Sequence, residues 1–177
     1  MPRHPSTTDL FARARIVASA GQMLAGALAI AGVFLDWVRI TARPELAPGA
    51  DFGDAAVEAP RITEPFNGLD VGADGWWVLA GGVILILSSL LVLARARGGW
   101  YGFIAAMVVG AVAFADYRGI DEVSSSIGRR MDIVGGAAPG IGLTAISIAG
   151  VVGVVASVAA IAASPRTAAD DQSPTTS

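Results

Sequence analysis

Charge disappears from the chain four times. Residues 16–35, 76–94, 98–115 and 133–165 hold no Asp, Glu, Arg, Lys or His. The first three approach the roughly 20 apolar residues that carry a helix across a bilayer, and the fourth exceeds that length. The pattern therefore predicts an all-α membrane fold, a bundle of four transmembrane helices at about residues 16–37, 75–95, 99–116 and 140–163. Two loops, 38–74 and 117–139, then lie on one side of the membrane. The tails 1–15 and 164–177 lie on the other and are rich in Pro, Ser, Thr and Asp, a composition that favours disorder.

The polar segments set the orientation. Arg3, Arg13 and Arg15 precede the first span, Arg95 and Arg97 fill the turn between the second and third, and Arg166 follows the fourth. By the density of Arg at helix ends, both termini and that turn are cytoplasmic, and the chain is a multi-pass plasma-membrane protein. Trp37, Trp76, Trp77 and Tyr117 are expected as anchors at the outer interface, with Trp100 and Tyr101 at the inner one. The first apolar run resembles a secretion signal in its basic start but is too long for one, so it reads as a retained helix.

The loops hold most of the ionisable groups. In loop 38–74, the strings VRITA at 38–42 and RIT at 61–63 alternate polar with β-branched residues and predict a short β-hairpin whose tip is 44–60. Residues 133–138 are expected at the membrane surface, and 123–131 as a short amphipathic helix, with the fourth span beginning near Gly140. Asp36 and Asp116 stand at outer helix ends, where Arg39 or Arg118 would pair with them. The string NGLDVGADG at 67–75 places Asp70, Asp74 and Gly75 at positions one, five and six of an EF-hand loop, but Gly72 and Gly81 fall where further ligands belong. Asn67-Gly68 as a tight turn and Asp74 as a helix cap is the better reading, and Asp70 and Asp74 remain weak metal candidates.

Within the spans, Gln22 is the polar residue most in need of a partner, with Ser88 or Ser89 of the second helix expected to supply it. Small residues recur every fourth position at Gly21, Ala25 and Ala29 and at Ala145, Ala149 and Gly153. Such faces let backbones approach closely, within the bundle or against another membrane protein. The bulky stretch 83–93 of the second helix is expected to face lipid.

Composition narrows the functions. Hydrophobic residues make up 54%, cysteine is absent, and the net charge is −3 with every basic residue an Arg. Disulfides and thiolate metal sites are thereby excluded, and nothing basic enough to neutralise nucleic-acid phosphates is present. The single His, His4, has no neighbours that would form a triad or metal site, and no phosphate-binding glycine loop or other cofactor motif occurs. The reading that remains is a non-catalytic accessory or scaffold subunit, whose partners are the lipid bilayer and other envelope proteins. Two alternatives stay open: an oligomeric pore or transport component, through homo-oligomerisation, and a membrane-surface enzyme using carboxylates such as Asp36, Asp70 and Asp121.

The strings LDW at 35–37, FNGLD at 66–70, DGW at 74–76 and GIGL at 140–143 sit at three outer boundaries of the spans. In this plan the chain resembles small four-helix membrane proteins common in actinobacteria, and the preference for Arg, Ala, Gly and Val suits a high-GC genome. The resemblance implies a place in the envelope rather than a mechanism. The layout is also similar to that of claudins in having cytoplasmic termini and a larger first outer loop. Asp70 stands where claudins have Trp, and the paired loop cysteines are missing, so this likeness implies topology alone.

Overall fold

The computed structural model describes residues 7–43, 62–94, 98–131 and 134–164. In chain order its elements are α1 (Thr7–Phe34), β1 (Asp36–Arg43), β2 (Ile62–Asn67), α2 (Gly68–Val71), α3 (Asp74–Leu93), α4 (Gly98–Met131), β3 (Val134–Pro139) and α5 (Ile141–Ala162). Four helices are long and apolar enough to cross a membrane: Asp9–Phe34, Asp74–Leu93, Gly98–Ile120 and Ile141–Ala162. They are compatible with an integral membrane protein.

The four pack in a ring. α1 and α4 each contact both α3 and α5, so α1 lies diagonally across from α4. The inner faces carry small and branched residues. Near the sheet, Val33, Val78, Val109, Leu143 and Ile146 are fully buried, and further along Ala25, Leu85 and Ala106 continue the core. The opposite faces stay apolar and exposed, as at Val83, Ile84, Leu87, Leu90 and Leu93 of α3. An apolar exterior of this kind is consistent with lipid contact, because lipid tails impose no cost on exposed Leu or Val.

At one end the helices carry a three-stranded antiparallel sheet in the order β2-β1-β3. β1 pairs with β2 from Ala42 opposite Ile62 to Asp36 opposite Asn67, and with β3 from Arg43 opposite Val134 to Val38 opposite Pro139. Between Asp36 and Val38 the β1–β2 register shifts, leaving Trp37 as an extra residue. Such a bulge turns a side chain out of the sheet's alternation.

Several sequence expectations give way here. α1 begins by Thr7, so residues 7–15 are helical rather than tail; it also stops at Phe34, and Asp36 and Trp37 belong to the strand. The third span does not end at 116. α4 continues to Met131 and takes in the expected short helix at 123–131; at 1.5 Å per residue its 34 residues run about 50 Å, well beyond a bilayer core of about 30 Å. Residues 134–139 form β3 instead of a surface segment, because the central strand supplies backbone partners that the Gly135-Gly136 sequence does not advertise. The hairpin tip 44–60, Arg61, the turn at 95–97 and residues 165–177 lie outside the described residues.

Candidate functional site

Two groups of residues stand out, one beneath the sheet and one towards the far end of the bundle. The first is built around Trp37. Its bulge aims the indole down into the helices, where the side chain is 1% exposed and Nε1 donates to the Gly32 carbonyl at 2.8 Å. That carbonyl, in the last turn of α1, also accepts from the Leu35 N–H at 3.3 Å, so the indole adds a second bond at the end of the helix on which the strand stands.

Glycines close around the ring. A methyl group on Gly68 would collide with Cε2 of the indole, and one on Gly142 would lie 2.9 Å from Cδ1 and 2.5 Å from the Gly32 carbonyl. Gly140 donates its N–H to the Trp37 carbonyl at 2.7 Å, and its own Cα faces the Asp36 carbonyl too closely for any side chain. Asn67 brings Gly68 into place: its Oδ1 accepts from the N–H groups of Leu69 at 2.9 Å and Asp70 at 3.1 Å, starting α2. Gly75 at the start of α3 packs in turn on the Gly68 carbonyl. The LDW, FNGLD and GIGL strings, far apart in sequence, thus meet at one indole, and DGW joins them through Gly68.

This corrects the interfacial role expected of Trp37. Trp76, Trp77, Trp100, Tyr101 and Tyr117 are exposed, whereas Trp37 is core. Asn67 caps a short helix rather than forming a tight turn, and Asp74 is the first residue of α3 after Ala73, which occupies the cap position without a side-chain bond. Asp70 and Asp74 are exposed, Asp70 within α2 and Asp74 at the start of α3, with Gly72 at φ 156° between them. Among the described residues no group of three or more His, Cys, Asp or Glu could hold a metal. Asp36 pairs with Arg39 at 3.3 Å on the surface. Arg118 instead lies over the Phe114 ring at 5.3 Å, and Asp116 keeps one buried oxygen, Oδ2, without a hydrogen-bond partner.

The second group lies where all four helices meet. Gln22 of α1 is fully buried, and its Nε2 donates to Ser157 Oγ of α5 at 2.9 Å. One turn earlier, Ser19 Oγ donates across to the Ser89 carbonyl of α3 at 2.9 Å. Ser88 and Ser89 themselves bond back to the carbonyls of Leu85 and Ile86. α4 contributes Gly102: a methyl there would strike Gln22 Nε2 and lie 2.7 Å from Ser88 Oγ and 2.9 Å from Ser157 Oγ. The expected Gln22–Ser88/Ser89 bond is therefore replaced by Gln22–Ser157, and Ser19 makes the α1–α3 link. Gln22 Oε1 has no partner.

The repeating small residues pack within this framework. Gly21 faces Ala156, Gly153 faces Ala106 and Ala25, and Ala25, Ala29 and Ala149 are fully buried; Ala145 is half-buried. Sequence reasoning missed Ser19 and Ser157 as partners because which helices adjoin depends on ring order, which spacing does not encode. Compared with known proteins, the chain matches no family model and no curated protein sequence.

Proposed function

We propose that this protein is a non-catalytic accessory or scaffold subunit of a larger complex in the bacterial plasma membrane. The observation that carries the reading is the Trp37 junction, which fixes the β1–β2–β3 sheet to the bundle through Gly32, Gly68, Gly140 and Gly142. A sheet held in one orientation above a helix bundle is suited to recognition of another protein, since little ordering entropy is lost on binding. The same packing that would serve presentation leaves the polar side chains of the bundle facing one another rather than a lumen. In this reading the termini are cytoplasmic and the sheet faces outwards, following the Arg distribution.

The test is extraction of the full chain from native membranes into lipid nanoparticles, with mass spectrometry of what accompanies it. A stoichiometric foreign membrane or envelope protein supports the accessory role. A homo-oligomeric ring replaces it with a pore, and a lone monomer removes its main support.

A further inference from the structure

We propose that the Gln22 level is a polar latch, at which the end of the bundle distant from the sheet opens to water while the sheet half stays closed. The inference does not depend on the scaffold reading. It starts from a contrast between the two halves. Near the sheet, contact is made by interlocked apolar side chains, Val33, Val78, Val109, Leu143 and Ile146, and the strands and the Trp37 junction join the helix ends. At the Gln22 level contact is made by short polar side chains and by glycine. Beyond it, Ala18, Val92 and Ala160 form a small buried group.

Gln22 itself supplies the drive. A carboxamide offers two donors and an acceptor with two lone pairs, yet this fully buried one makes a single bond, to Ser157, and Oε1 accepts nothing. Closing the bundle therefore leaves hydrogen-bonding capacity unspent in a medium where no water compensates. Opening from the far end would let water reach Oε1, Ser19, Ser88 and Ser157. It would stop at the apolar layer around Leu85 and Val109, which gains nothing from water. α1 and α5 meet there through Gln22–Ser157.

The chain has no cysteine, so a single introduced thiol reports on water access without background. With the full chain in lipid nanodiscs, Ala160→Cys serves as the reporter and Ala149→Cys, buried nearer the sheet, as the reference. The expected result is modification by a water-soluble thiol reagent at 160 and protection at 149. Gln22→Leu, which removes the unspent polar group, should slow the reaction at 160 by about fivefold. Ser157→Ala, which strips the closed state of its one carboxamide bond, should speed it by about fivefold.

Opposite signs are the signature, since a plain clasp would loosen with either substitution. Acceleration by both variants, no effect of either, or equal reactivity at 149 and 160 overturns the latch. Hydrogen exchange on the unmodified chain checks it without mutation. Amides around Ser157 should exchange faster than those around Ile146, and equal protection overturns it.

Discussion

At the residue scale, the energetics of the sheet end concentrate on one side chain. Trp37 contributes a buried ring, a hydrogen bond to a helix-terminal carbonyl and the surface against which Gly68 and Gly142 pack. Trp37→Phe would forfeit the indole N–H bond and leave part of the ring's space unfilled, and we expect a loss of about 2–3 kcal/mol in unfolding measurements. The Asp36–Arg39 pair alongside is exposed and should matter little by comparison. Gly68→Ala sets two effects against each other. Alanine is the better helix former by about 1 kcal/mol, but its methyl would drive into an indole that burial prevents from moving, at about 1–3 kcal/mol. Destabilisation should win. In the Trp37→Phe background the atoms that the methyl strikes are gone, so Gly68→Ala should become cheaper by about 1 kcal/mol, a coupling that a double-mutant cycle measures.

At the element scale, α4 shows how one residue type takes opposite roles along a helix. A methyl on Gly102 meets the Gln22–Ser88–Ser157 group; on Gly110 its nearest neighbour is Gly150 Cα at 3.9 Å; on Gly119 it meets nothing within 4 Å. Glycine costs a helix about 0.5–1 kcal/mol relative to alanine, so Gly119→Ala should stabilise by that amount and Gly110→Ala by a similar or smaller one. Gly102→Ala should destabilise by about 1–3 kcal/mol, because the polar atoms it displaces are themselves fully buried. Thermal unfolding of the three variants in one detergent ranks them. The same helix marks a limit of the sequence. Asp116, Arg118, Asp121 and Glu122 read as the exit into a loop, but a helix outside the hydrocarbon needs no apolar exterior, and α4 continues through them. β3 was illegible for a related reason. Its VGGAAP sequence has little strand propensity, and its pairing comes from the exposed edge of β1.

At the scale of the whole molecule, what the sequence made plain was the set of four spans, since lipid demands long uncharged runs whatever else the chain does. The candidate site was legible in pieces. The strings around Trp37 and the polar Gln22 could be singled out, but their convergence depends on a bulge and a ring order that no local pattern carries. The spans also constrain the termini. An even number of crossings returns the chain to the side on which it began, with the sheet opposite; our proposal that this side is the cytoplasm rests on the Arg clusters before the first span, between the second and third, and after the fourth. A fluorescent protein that matures only in the cytoplasm should therefore be bright when fused to either end of the full chain. An Asp70→Cys thiol, placed on the exposed start of α2, should react with an impermeant reagent on intact cells whose outer barriers have been removed. Labelling only after the plasma membrane is permeabilised would invert the orientation. Brightness at one terminus alone would mean that one of the four apolar helices does not cross, and that α1–α5 packing within a single spanning ring must be abandoned.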